Sequence, residues 1–177
     1  MAPYLLDTDT ISELMAAPTR KRRQKIDAWL RSLGDDPLIL SSVSIAEINR
    51  GIAMLEAKKP EAAEALKRAL GRILSMYEDT VITPSHAEWQ TFARLSAVPE
   101  LRHLCHGRNG NNQPRTGADL FLAVQAATIA YAIATLNVKD VVLIDRHLPL
   151  VGGIIDPASG EWARRPDGPD PGGEGVH

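Results

Sequence analysis

Tyr4-Leu5-Leu6-Asp7-Thr8-Asp9-Thr10-Ile11-Ser12-Glu13-Leu14-Met15 is the stretch on which the fold turns. Three apolar residues give way at once to four polar ones. That change reads as a short buried strand ending in a loop or a helix start. Ile11, Leu14 and Met15 then recur at helical spacing. Downstream, Leu38-Ile39-Leu40 is a second short strand that runs into Ser44-Ile45-Ala46-Glu47, a capping-box pattern. The helix that follows carries Ile48, Ile52 and Leu55 on one face. Val81–Thr83, Tyr131–Thr135, Val141–Ile144 and Gly153–Ile155 are further strand candidates.

Helices fill the gaps. One is basic and passes through Ile26, Trp29 and Leu30; one is alanine-rich and follows Pro60; one opens at Ser85. The most apolar opens at Thr116-Gly117-Ala118-Asp119. Trp29, Trp89 and Phe92 fall at helical spacing and are expected in the core rather than on a nucleic-acid base. Short strands alternating with helices predict an α/β fold with a mainly parallel sheet of four or five short strands.

The chain has 177 residues, which fits one domain with a tail. Residues 1–157 are expected to form that domain. Residues 158–177, rich in Pro, Gly and Asp, are expected to be a disordered tail. The segment 107–117 is expected to be a polar, mobile loop. Cys105 is the single cysteine, so no intrachain disulfide forms, and a reducing, cytoplasmic setting is expected. No basic leader or long apolar run appears, so neither a secretory signal nor a membrane span is expected.

The formal net charge is −2, which does not announce a nucleic-acid partner. The last twenty residues hold four of the 22 acids and two of the 20 bases, so the remainder is neutral. Within it Arg20, Lys21, Arg22, Arg23 and Lys25 form a basic run. Such a run is either a solvated helix face or a guide for a phosphate backbone.

In parallel sheets, polar chemistry gathers at the carboxyl ends of the strands. Asp7, Glu47 and Asp140 each follow a predicted strand, and Asp119 opens a helix at the same kind of position. Carboxylates brought together repel one another, and a divalent cation removes that repulsion. Mg²⁺ and Mn²⁺ prefer such hard oxygen ligands. A structural role is open to each acid as well: Asp7 as a helix cap, Glu47 as part of a capping box, Asp119 as a helix-start acid, Asp140 as a turn residue. His103, Cys105 and His106 lack a fourth ligand at zinc spacing and are expected at a helix end or loop.

Leu5–Asp9, Ser44–Gly51, Ala118–Ala123 and Ala134–Asp140 occur in the order expected of a PIN domain. The chain resembles, more narrowly, the VapC toxins of toxin–antitoxin pairs, over residues 3 to 157. That resemblance implies a three-layer α/β/α fold. It implies the toxin of a type II toxin–antitoxin system, an endoribonuclease that hydrolyses RNA with Mg²⁺ or Mn²⁺ and metal-activated water. It also implies a homodimer and a small antitoxin partner. The family's acids fall on Asp7, Glu47, Asp119 and Asp140, with Asp7 and Asp119 as the leading metal ligands. Thr8, Thr135 and Asn137 would support the carboxylates or contact phosphate. Asp145 competes with Asp140 as the fourth acid. The chain departs from the pattern at Asp9, where Asn is common, at Leu136, where Arg is common, and in an apparent insertion at 107–113.

Two other readings remain open at this point. Asp7-Thr8-Asp9 after an apolar run is similar to the nucleophile motif of haloacid-dehalogenase phosphatases, which would make Asp7 a covalent nucleophile. A PIN-like module that binds RNA or protein without cutting is the other.

Overall fold

A computed structural model describes residues 3–106 and 116–167. The expected loop insertion at 107–113 and residues 168–177 of the expected tail lie outside the described residues.

Six strands form one sheet: β1 (Tyr4–Leu6), β2 (Leu38–Ser41), β3 (Val81–Ile82), β4 (Ala132–Ala134), β5 (Ile154–Asp156) and β6 (Glu161–Arg164). Their order is β3-β2-β1-β4-β5-β6. The first five are parallel, and β6 runs antiparallel against β5. The helices are α1 (Thr8–Met15), α2 (Lys21–Ser32), α3 (Ser42–Glu56), α4 (Pro60–Tyr77), α5 (His86–Ser96), α6 (Arg102–Cys105), α7 (Ala118–Ile129) and α8 (Val138–Asp145).

Alternation along β1 builds the layers. Tyr4 and Leu6 point into a core with Ile11, Leu14, Ile26, Trp29, Ile52 and Leu70, so α1 to α4 cover that face. Leu5 points the other way, onto Leu120, Leu122, Val141 and Ile144, so α7 and α8 cover the opposite face with α5 and α6. The result is the three-layer α/β/α architecture expected from the sequence.

The chain differs from the expectation at several points. Val141–Ile144 is not a strand but the middle of α8. Val141 and Ile144, three apart, are both fully buried, and helical spacing of those two outweighs the β-branched run. The sheet has six strands, not four or five, because β6 lies inside the segment expected to be a tail. Its Trp162 packs beside Tyr4, with ring centroids 6.2 Å apart, and Arg164 pairs with Asp145 of α8. Trp29 is buried, whereas Trp89 is 51% exposed. Its ring contacts with Phe121, at 4.3 Å between centroids, and with Phe92, at 5.9 Å, tie it to the core. No helix among the described residues is long and apolar enough to cross a membrane.

Candidate metal centre

The strand order reverses direction at β1: the chain leaves it for β2 on one side, and β4 lies on the other. Such a switch point opens a crevice at the carboxyl ends of the strands. Register fixes what stands there. Leu6 pairs with Ala134, and the Asp7 backbone N–H donates to the Ala134 carbonyl at 3.0 Å. Asp7 and Thr135, the next residue on each strand, therefore meet.

Asp7 caps α1. Its Oδ1 accepts from the Thr8 backbone N–H at 2.5 Å, and its Oδ2 accepts from the Thr135 hydroxyl at 2.5 Å. The side chain is 1% exposed. Burial pushes its carboxyl well above the usual range, and the nearby charges of Asp119 and Asp9 push it further. The bonds from Thr135 and Thr8 oppose that rise without cancelling it.

Asp119 lies in the first turn of α7. Its carboxyl is pushed up to about 6, first by burial and then by Glu47, Asp9 and Asp140, against an opposing bond from Asn137. Asn137 Nδ2 donates to Asp119 Oδ2 at 2.8 Å and to Asp140 Oδ2 at 2.9 Å. One amide thus links two acids. The Asn137 backbone N–H in turn donates to Thr135 Oγ1 at 2.9 Å. Glu47, on α3, accepts from the Thr116 hydroxyl at 2.6 Å.

Neither helix start has the cap expected of it. Ser41, not Ser44, caps α3, so Glu47 lies beyond the first turn and completes no capping box. Gly117, in a left-handed conformation at φ 75°, stands at the cap of α7. Thr116, one residue earlier, accepts from the Ala118 backbone N–H at 3.4 Å and donates across to Glu47. Asp7 is both a cap and a member of the acidic group.

Asp9, which stands in the sequence as a departure from the PIN pattern and as part of the phosphatase-like Asp7-Thr8-Asp9 motif, joins the group. Burial raises its carboxyl first, then Glu47, with Arg22 opposing and Glu13 adding. The signal that finds it is helical phase: Asp9 and Ser12 on α1 line the same cleft as Glu47 and Asp119. That cleft holds about 420 Å³. Asp145 stands apart. It accepts from the Leu150 backbone N–H at 2.7 Å and pairs with Arg164. The geometry places Asp140, not Asp145, beside Asp119. Asp7, buried with both oxygens bonded, is not placed as an attacking nucleophile, and no lysine among the described residues lines the cleft.

The residues suit a hard divalent cation. Every donor is oxygen, and the carboxylates repel one another. Thr8 Oγ1, buried at the cleft wall, finds no hydrogen-bond partner among the described residues. Among the described residues, however, no three such side chains are already drawn into a ligand set. The Thr116 hydroxyl holds Glu47, and the Asn137 amide holds Asp119 and Asp140.

Solved structures share this arrangement of strands and helices. FitAcB from Neisseria gonorrhoeae matches with a TM-score of 0.61 at 21% identity, over 87% of this chain and 97% of that one. FitAB bound to an IR36 DNA fragment matches with a TM-score of 0.61 at 21% identity, over 88% and 95%. VapBC2 from Rickettsia felis, bound to a DNA fragment from their promoter, matches with a TM-score of 0.53 at 21% identity, over 83% and 93%. This chain has a PIN-type fold. No family model and no curated protein sequence matches it. In this PIN-type fold, Asp9 of α1, Glu47 of α3 and Asp119 of α7 line one cleft, with Asp7 buried at the end of β1 and Asp140 of α8 linked to Asp119 through Asn137.

Proposed function

We propose that this chain is the toxin of a type II toxin–antitoxin pair and a Mg²⁺- or Mn²⁺-dependent endoribonuclease. The observation that carries the reading is that Asp9, Glu47 and Asp119 line one cleft, with buried Asp7 in the field of Asp119 and Asp140 joined to Asp119 through the Asn137 amide. The FitAB and VapBC2 likenesses support the toxin role and a small antitoxin partner. A homodimer and a cytoplasmic setting belong to the same reading.

Asp7 and Asp119 would hold the ion, with Glu47 and Asp140 completing the acidic pocket. When bound, a divalent ion neutralises phosphate oxygens and makes water a better nucleophile. The chain's own work is orientation. Thr135 holds Asp7, Asn137 sets Asp119 and Asp140 at a fixed spacing, and Thr116 holds Glu47. Outer partners of this kind fix how a carboxylate presents its lone pairs. The Thr8 hydroxyl is left to a phosphate oxygen or a water.

The test is cleavage of structured RNA by the purified chain with Mg²⁺. Cutting should leave 5′-phosphate and 3′-hydroxyl ends and disappear in Asp7→Asn and Asp119→Asn variants. Cyclic 2′,3′-phosphate ends, or no cutting across many RNAs, would overturn it. Expression in cells should arrest growth and be relieved by the small protein encoded beside it.

A further inference from the structure

The basic run Arg20–Lys25 is unused by the reading above, and the structure divides it. Arg23 is turned inward: its guanidinium donates to the Leu14 carbonyl and pairs with Asp27 at 2.7 Å. Lys25 lines a separate depression beside Pro157 and Gly160. Arg20 and Arg22 do something else. Both reach back to Glu13 of α1: Arg20 Nη2 lies 3.1 Å and Arg22 Nη1 3.8 Å from the same Glu13 Oε1.

Glu13 is four residues after Asp9, so the two share one face of α1. That face carries Asp9 and Ser12 into the acidic cleft. Glu13 is itself 9% exposed, and its second oxygen is buried with no partner among the described residues. It is an anchor set into the wall. The arginines are not buried with it: their side chains remain 58% and 60% exposed. At 3.8 Å Arg22 is within ion-pair range of Glu13 but outside hydrogen-bond range, so its fork of N–H donors stays open to solvent. An arginine fork suits phosphate oxygens, and a fork on the rim of an acidic cleft offsets the repulsion a polyanion meets there.

We infer that Arg22, steadied with Arg20 by Glu13, grips a phosphate of the bound RNA strand on the α1–α2 side of the cleft. This rests on the nuclease reading above. Arg22 touches the strand and not the reacting atoms, so it governs binding rather than the chemical step.

The experiment uses the full chain and a short fluorescein-labelled single-stranded RNA. Binding is followed by anisotropy across a salt series in EDTA, and cleavage kinetics are followed with Mg²⁺. Arg22→Gln is expected to weaken binding roughly fivefold and to reduce the slope of log K against log salt by about 0.7, the value for one phosphate on a single strand. In cleavage, KM should rise with kcat unchanged. Lys25→Gln, from the same helix, should leave both readouts at wild-type values. If the wild type cuts RNA but Arg22→Gln keeps its KM and salt slope, or Lys25→Gln shows an equal loss, the inference falls and the nuclease reading stands. If the wild type neither binds nor cuts RNA, both fall.

Discussion

Asp7, at the end of β1, stands in the field of Asp119, in the first turn of α7, and that field raises its carboxyl beyond what burial alone does. Asp119 is itself raised to about 6, against roughly 3.9 for an aspartate in an unfolded chain. Between those two values the folded protein holds a proton that the unfolded chain does not. Stability of the metal-free protein should therefore fall as pH rises through about 6. Thermal melts in EDTA should show Tm higher near pH 5 than near pH 7.5, and Asp119→Asn should raise Tm near pH 7.5 and flatten the profile. A Tm that climbs with pH across that window would contradict like-charge crowding at this site.

The same protons compete with a cation. Divalent metals bind the ionised carboxylate, so each bound proton must leave first. Mn²⁺ or Mg²⁺ should raise Tm near pH 7.5 and have little effect near pH 5, with the crossover close to the Asp119 value of about 6. Asp7→Asn and Asp119→Asn should each remove the metal-dependent rise. A rise of equal size at both pH values would place the ion elsewhere.

Asp140 and Asp145 separate stability from activity. Asp140 shares the Asn137 amide with Asp119, whereas Asp145 ties the Leu150 backbone and Arg164 of β6 to the end of α8. Asp140→Asn should lower kcat at least tenfold with Tm near wild type. Asp145→Asn should leave kcat near wild type and destabilise by roughly 1–2 kcal/mol, as expected for a partly buried charge-assisted network. Denaturant unfolding set beside RNA cleavage reads both. The reverse pattern would make Asp145 the fourth acid.

The acids were legible because a short apolar run that ends in a polar residue is a local signal. Leu6-Asp7 and Ile133-Ala134-Thr135 carry it in plain view. The partners were not, because they depend on register and helix phase. Thr116 meets Glu47 only once α3 and α7 are packed, and Asp9 joins the group only through its turn of α1. Val141–Ile144 misled because an apolar run of four suits a buried helix and a buried strand equally well. Strand β6 was hidden by composition: Pro and Gly surround Trp162, and what orders it is Tyr4 and Asp145, both distant in sequence.

Ser41 and Gln125 hold α3 against α7. Ser41 Oγ donates to Gln125 Oε1 at 2.5 Å and accepts from the Val43 N–H at 3.0 Å, and both residues are fully buried. The Gln125 Nε2 has no partner among the described residues. Ser41→Ala removes a helix cap and strands the whole amide, so it should cost about 2 kcal/mol. Gln125→Met removes an already orphaned group and should cost less, within about 1 kcal/mol. The double variant should lose less than the two single losses combined, which equilibrium unfolding of all four proteins would show. Strict additivity would mean that this bond does not join the helices.

Gly117 decides where α7 begins, and with it where Asp119 sits. Its φ of 75° is strained for any residue with a side chain. An added Cβ would also lie 3.1 Å from Phe92 Cζ and 3.2 Å from Cys105 Sγ. Relief requires either rotating Gly117 out of its left-handed conformation or pushing α7 away from α5. Both move Thr116 off Glu47 and Asp119 off Asn137, since those residues flank it. Gly117→Ala should therefore destabilise by about 1–3 kcal/mol and lower kcat as well. Gly71→Ala is the matched control: it lies within α4 with nothing inside 4 Å of its added Cβ, and it should stabilise by roughly 0.5–1 kcal/mol with kcat unchanged. If Gly117→Ala melts and cleaves like the wild type, the start of α7 is not what positions Asp119.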